Sequence, residues 1–459
     1  MAILFLTFNP VQEIQMQQVR FIHAADLHLD AAFSGISREA PSELALRLQR
    51  STFVALTRLV ELCERERPDF LLLAGDIYNE EDQSLRAQLA VRDACVRLKQ
   101  MGIPVFMVHG NHDPCTSRVQ TLHWPSNVTI FGEEVSAVAA TGKDGTPLAM
   151  IYGISHASSR ETRNLAARFR KGPESCLHIG LLHATPGDAD GVARYAPFSQ
   201  DDLIVSGMDY WALGHIHDRR TVCHRPLALY PGCLQGLHIN ESGEKGCLLV
   251  TMTPSGNEWM SEVSFHTLSP VQWEILDVSL DTSAYGTEEP DSGEQIAAGV
   301  PSRVTSVDEL EERLRKVLDI AADNLRSDCE ALVVRLRLTG RTELDSLLRR
   351  EGVISDLLER LREPVDGVRI WVKDMEILTR LPVNRKTLTD RDDLLGEIFR
   401  LGDAGKTSPE QLAALREEIL APLFGHSRLR RVLEPLSEEE LVQLVDDAES
   451  LCMDLLENS

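Results

Sequence analysis

The sequence predicts a layered α/β sandwich followed by a small α/β unit and a run of helices. Three observations predict it. Short apolar runs at 19–25, 70–74 and 105–109 are separated by segments of helical periodicity. That β-α-β-α-β order belongs to a parallel sheet with crossover helices. Further apolar runs at 148–153, 177–182, 210–213 and 227–230 supply a second sheet, and strands dominate after Gly207. Beyond residue 304, a helix-strand-helix-strand pattern gives way to helices.

Taken in order, residues 1–18 read as a tail. The apolar stretch at 2–8 has no basic residue before it and no small-residue cleavage site after it, so it makes a poor secretory signal; Met16 is an alternative start. The main domain is expected at 19–277. Its first helix places Leu44, Leu48, Phe53, Leu56, Val60 and Cys63 on one face, and its second, at 85–101, stops at Gly102 before Pro104. Residues 278–304 hold five Gly or Pro residues and several acids without period, and read as a linker. A small α/β unit follows at 305–380, with helices at 306–325 and 343–361 and strands at 331–338 and 368–378. The segment 391–459 reads as helical, with Ser408 and Ser437 as N-caps followed by acids. Its apolar stripes are Leu412, Leu415, Leu420 and Leu423, then Leu441, Leu444, Leu451 and Leu455. Such stripes suit either a self-contained bundle or a docking face.

The 459 residues carry a net charge of -24, with most of the acid excess after residue 270. A chain this acidic repels polyanions at long range, so binding nucleic acid requires local basic patches, bound cations or a partner. Two basic clusters are candidates. One is Arg160, Arg163, Arg168, Arg170 and Lys171, opposed locally only by Glu161; the other is Arg219, Arg220 and Arg225. Both read equally as solvated surface. No apolar run reaches the roughly 18 residues of a membrane helix. Nine scattered cysteines without a C-x-x-C pair suggest the reduced thiols of a cytoplasmic protein, not a disulfide framework or zinc ribbon.

Five short motifs carry the chemistry. They are D-L-H at 26–28, G-D at 75–76, G-N-H-D at 110–113, a lone His183, and G-H-I-H at 214–217, each directly after a predicted strand. Strand carboxyl ends are where α/β sheets place ligands, so five loops can converge on one point. Carboxylate, imidazole and amide donors suit divalent manganese, iron or zinc rather than thiophilic ions. If the segments are extended, alternate residues point the same way; Asp26 with His28, and His215 with His217, would then face the site together. Asp76, alone at the end of a buried strand, is the expected bridge between two ions. The glycines before Asp76, Asn111 and His215 allow sharp turns and close approach. His23, His109, His123, His156, His178, His224, His238, His266 and His426 read as ordinary histidines.

This set resembles the calcineurin-like metallophosphoesterase superfamily, whose pattern is D-x-H, G-D, G-N-H-[DE], H and G-H-x-H. The resemblance spans roughly 21–250. Within the superfamily the chain is similar to the DNA-repair exonuclease branch of SbcD-like enzymes, above all to YhaO-type proteins. That likeness rests on I-Y-G-I-S at 151–155, N-L-A-A-R-F at 164–169, D-Y-W-A-L-G-H-I-H at 209–217 and Y-P-G-C-L-Q-G-L-H-I-N-E-S-G-E-K-G at 230–246. The resemblance implies an α/β/β/α sandwich with a capping unit and two divalent ions, manganese first, iron or zinc as alternatives. It implies that Asp26, His28, Asp76 and His217 hold one ion and Asp76, Asn111, His183 and His215 the other. His112 would be the catalytic histidine and Asp113 would orient its ring. The chain departs from the pattern at Asn79, where SbcD-like enzymes carry His or Asp, and at Cys233, where YhaO-like proteins carry Asn. Asn cannot transfer a proton at neutral pH. The implied function is a metal-dependent DNA exonuclease working with an SMC-like coiled-coil ATPase of SbcC or YhaN type; a homodimer is left open. Two other readings stand beside it: a small-molecule phosphatase or cyclic-nucleotide phosphodiesterase, and a weakly cutting DNA-end scaffold.

Overall fold

The computed structural model describes residues 17–31, 33, 40–79, 84–116, 122–142, 144–187, 194–256, 258–280, 304–362, 369–382, 385–415, 417 and 437–457. Most of the expected tail and linker therefore lies outside the described residues, as do Leu420, Leu423 and His426.

The chain begins with β1 (Val19–Ala24), α1 (Ser42–Glu66), β2 (Phe70–Ala74), α2 (Leu85–Gln100), β3 (Val105–Val108) and β4 (Val128–Ile130). The four strands are parallel neighbours. Next come β5 (Ser136–Thr141), β6 (Pro147–Ile154), β7 (Leu177–His183), α3 (Gln200–Ser206), β8 (Tyr210–Gly214), β9 (Arg220–His224) and β10 (Leu227–Tyr230). They build a second sheet in the order β5-β6-β7-β8-β10-β9. The hairpin of β11 (Gly246–Ser255) and β12 (Glu258–Thr267) then returns to the first sheet, where β11 pairs antiparallel with β1. Both sheets are thus mixed and six-stranded.

Strand alternation divides the apolar side chains into layers. Phe21, Phe70, Phe106, Ile179, Leu181 and Tyr210 fill the space between the sheets. Ile22, Leu71, Leu73 and Val105 face the other way, onto α1 and α2. On the far side of the second sheet, Trp211 and Leu213 pack with Leu165, Phe169 and Leu203. The result is the expected α/β/β/α sandwich. Burial of each such Leu or Phe stabilises it by about 1.5–3 kcal/mol. His23 lies between the sheets, against the Tyr210 hydroxyl at 3.0 Å and the Leu213 carbonyl at 3.1 Å.

A third sheet takes β13 (Val271–Ser279), β14 (Ala331–Thr339) and β15 (Ile370–Ile377), with α4 (Val307–Asp323) before β14. Val271, Trp273, Ala331, Val333 and Trp371 from this sheet share a cluster with Leu44 and Leu48 of α1. The helix expected at 343–361 is two pieces, Asp345–Leu348 and Val353–Leu361, interrupted where Gly352 adopts a φ of 89°.

By contact the chain divides into two compact units. The first comprises Met1–Val278, Asp308–Leu338 and Glu351–Ile377, and holds every motif residue. The second comprises Ser279–Val307, Thr339–Arg350 and Leu378–Ser459. In the second, helix Glu438–Glu457 starts at a reciprocal cap between Ser437 and Glu440. Leu441 buries against Leu412, and Met453 against Leu395 and Phe399. Leu444, Leu451 and Leu455, expected on the same stripe as Leu441, are exposed.

Candidate metal centre

Hydrogen bonds between strand ends build the site. Asp26 N donates to the Gly75 carbonyl at 3.1 Å and His28 N to the Asp76 carbonyl at 3.0 Å, which joins the loops after β1 and β2. Both oxygens of Asp26 accept from His215 N, at 3.1 and 3.0 Å, which joins the two sheets. Oδ1 of Asp76 accepts His112 N at 3.0 Å. Its Oδ2 is left 3.4 Å from His183 Nε2 and 3.8 Å from His28 Nε2. The structure therefore brings the expected residues together in overlapping groups: Asp26, His28 and His217; His28, Asp76 and His112; Asp76, His183 and His215. Asn111 joins the last group through Oδ1, 3.1 Å from His183 Nε2.

The backbone reaches this arrangement differently from the alternation expected of extended segments. Asp26, His28, Asp76 and His215 have φ of 51°, 42°, 46° and 109°. A positive φ departs from extended strand, so Asp26 and His28 meet the site from irregular backbone just beyond β1 and not from one face of a strand. Such positions cost on the order of 1–3 kcal/mol each and persist where the surroundings over-determine them. Gly110 shows how tight those surroundings are: a Cβ there would lie 2.2 Å from Asp76 Oδ1 and 2.8 Å from the His183 ring.

The imidazoles are set to present nitrogen lone pairs inward. His183 Nδ1 donates to the Ala74 carbonyl at 3.0 Å, so Nε2 faces Asp76 and Asn111. His217 Nδ1 donates to Glu241, so Nε2 faces His28 Nε2 at 3.1 Å. Lone pairs and carboxylate oxygens this close repel unless a cation or protons lie among them, which is the test a metal pair passes. Without metal, protons take that place. Burial opposes the charge on His183, yet Asp76 and Asp26 raise it to about 9. Burial likewise opposes His217, and Glu241 with Asp26 raises it to about 9. His28 is lowered to about 3 by burial, and Asp26 is raised to about 6 by burial. Asp76 is held well below the usual carboxylate range: burial opposes its charge, but His183 and His28 outweigh burial.

A family model described as calcineurin-like phosphoesterase matches residues 19–219. The uncharacterized metallophosphoesterase YhaO of Bacillus subtilis is 33% identical over 437 residues, covering 95% of this chain and 97% of that protein. The chain belongs to the calcineurin-like phosphoesterase family. A second model, described as metallophosphoesterase YhaO, middle domain, matches residues 300–380 of this phosphoesterase. The DNA double-strand break repair protein Mre11 of Sulfurisphaera tokodaii is 26% identical over 218 residues, 45% of this chain and 51% of that one. Mre11 of Methanopyrus kandleri is 26% identical over 403 residues, 76% of this chain and 83% of that one.

Two groups of contacts in this phosphoesterase differ from the local sequence reading. Asp113 does not orient His112. It is fully buried, and its oxygens accept from Gly110 N at 2.8 Å and Ile77 N at 2.9 Å, strapping the third motif loop to the second. The His112 ring is held instead by the Asn79 carbonyl, 2.7 Å from Nδ1. The basic cluster near 160–171 is also largely neutralised. Arg163 pairs with Glu161, Arg168 with Glu134, and Lys171 with Asp209 at 2.8 Å. Glu134 and Asp209 are 34 and 38 residues away in sequence, so local charge reading missed them. Of the second cluster, Arg219 lies over the Phe265 ring and Arg225 pairs loosely with Glu258 at 3.7 Å.

The residue that sequence reasoning missed is Glu241. It sits inside the string at 230–246, but a lone glutamate in a loop carries no spacing that marks it. Two histidines read as ordinary are also close by. His156 Nε2 contacts the His183 carbonyl at 2.7 Å, and His109 Nδ1 lies 3.3 Å from Asp113.

Proposed function

We propose that this phosphoesterase is a two-metal DNA exonuclease. The observation that carries the two-metal part is the Oδ2 of Asp76, flanked by His28 at 3.8 Å on one side and His183 at 3.4 Å on the other. Asp26, His28, Asp76 and His217 would hold one ion, and Asp76, Asn111, His183 and His215 the second. The oxygen and nitrogen donors favour manganese, with iron or zinc as alternatives. A bound pair supplies Lewis acidity, making water nucleophilic near neutral pH and offsetting charge on the phosphoryl oxygens. His112 is the group that touches substrate. It is exposed, its ring stands edge-on to His28 at 4.9 Å, and its Nδ1 donates to the Asn79 carbonyl. That bond occupies Nδ1 and leaves Nε2 as the nitrogen able to give a proton to the leaving oxygen.

The DNA part rests on the Mre11 relatives. DNA and a coiled-coil ATPase of SbcC or YhaN type are the proposed partners. No helix among the described residues is long and apolar enough to cross a membrane. Because the Arg160–Lys171 segment is mostly paired with acids, it offers a duplex little net charge, and bound cations and the partner must supply the attraction. Exposed Leu444, Leu451 and Leu455 give the ATPase an apolar helix face. The test is manganese-dependent hydrolysis of end-labelled duplex DNA beside bis-p-nitrophenyl phosphate. Release of nucleotides from the ends supports the proposal. Cleavage of the small diester alone supports a small-molecule phosphodiesterase, and DNA binding without cleavage supports a scaffold. Leu451→Glu with Leu455→Glu should end co-purification with the ATPase and leave the small-diester rate unchanged; undiminished recovery would reject the docking face.

A further inference from the structure

The loop between β10 and β11 contains none of the five motifs, yet it grips His217 by ring and by backbone. Glu241 is buried and uses both oxygens. Oε1 accepts from His217 Nδ1 and lies 3.3 Å from His238 Nε2. Oε2 accepts Leu237 N at 2.6 Å, which anchors the carboxylate to its own loop. The His217 carbonyl accepts from Cys233 N at 3.3 Å and from Lys245 Nζ at 3.2 Å. Lys245 is itself buried and also donates to Asp218 at 2.9 Å. A Cβ on Gly232 would approach the same carbonyl to 2.7 Å, so the loop lies directly against it.

We propose that Glu241 is the positioning residue that fixes His217 as a ligand and sets the affinity of one of the two metal positions. The inference rests on the two-metal reading above. A neutral imidazole has two tautomers and a ring that can turn over, and the acceptor on one nitrogen decides which lone pair faces the site. A carboxylate acceptor at Nδ1 fixes both and makes Nε2 a stronger donor. The two halves of the site differ here. His183 takes its orientation from a main-chain carbonyl, Ala74, which no side-chain substitution removes. His28 has no acceptor for Nδ1 among the described residues. The Asp26–His28–His217 half therefore has one oriented imidazole, and Glu241 orients it.

The experiment is manganese titration of the metal-free full-length chain by calorimetry, with wild type, Glu241→Gln and Glu241→Ala, and the thermal midpoint of each metal-free protein measured alongside. Gln keeps one oxygen acceptor for the loop and loses the charge. The wild type should bind two ions. Glu241→Gln should keep one affinity and weaken the other by about 10–100-fold, with a metal-free midpoint near wild type; Glu241→Ala should weaken the same position at least as much. Two unchanged affinities in Glu241→Gln would sink this inference alone. A parallel fall of both affinities together with the metal-free midpoint would also overturn it, because the residue would then be structural. A wild-type chain that takes up no metal pair would sink the two-metal reading and this inference with it.

Discussion

The two halves of the site are built from different materials. His183 is the last residue of β7, and its ring is locked to the last residue of β2. In the Asp76–Asn111–His183–His215 half the His183 ring is therefore fixed by sheet backbone, while Asp76 and His215 stand at positive φ just beyond strand ends. Asp26 and His28 have positive φ in irregular backbone, and His217 depends on a carboxylate from a distant loop. Irregular backbone and one buried acid set that half. A main-chain acceptor such as the Ala74 carbonyl cannot be removed by a side-chain substitution, whereas an acceptor supplied by a loop side chain is open to tuning. Asp76 belongs to both and couples them.

Single substitutions separate the contributions of the two halves. The largest effect is expected from Gly110→Ala, whose Cβ would collide with Asp76 and His183 at once. Both metal positions should fail, with hydrolysis reduced to background and metal content by mass spectrometry falling in step. Normal metal content would show that the loop can yield. His112→Ala should cost about 10²–10⁴-fold in rate while both ions stay bound; near-normal turnover would remove His112 from the mechanism.

A smaller, graded effect concerns pH. His183 and His217 are both raised to about 9, so at neutral pH the metal-free chain holds protons that an ion must displace. Apparent metal affinity should rise with pH and level off above about 9, and calorimetry in buffers of different ionisation enthalpy should register proton release. Affinity independent of pH between 7 and about 9 would contradict that charge state. The smallest effect is expected from Asn79→Asp or Asn79→His. Asn79 contacts His112 through its main-chain carbonyl, so rate or substrate preference should shift modestly and metal content not at all. Loss of metal would make Asn79 structural.

The sequence makes much of this legible. The order of short strands and the five motifs at their ends place Asp26, His28, Asp76, Asn111, His183, His215 and His217 near one point, because parallel neighbours align their carboxyl ends. The positive φ of Asp26 and His28 escapes such reading, since nothing in D-L-H distinguishes an extended segment from an irregular one. The contacts of Asp113 escape it too, because a G-N-H-D string does not say which backbone amides the final carboxylate faces. Glu241, Glu134 and Asp209 were invisible for a common reason: each acts on a partner more than twenty residues away. Side-chain pairings of that kind are set by packing, not by local pattern.

The most direct measurement is the metal stoichiometry of Asp76→Ala against wild type, by mass spectrometry after equilibration with manganese and desalting. Asp76 is the residue through which the two halves become one centre. The account predicts two ions per chain in the wild type and loss of the pair in the variant, with hydrolysis lost alongside. Two ions retained per chain in Asp76→Ala would contradict it.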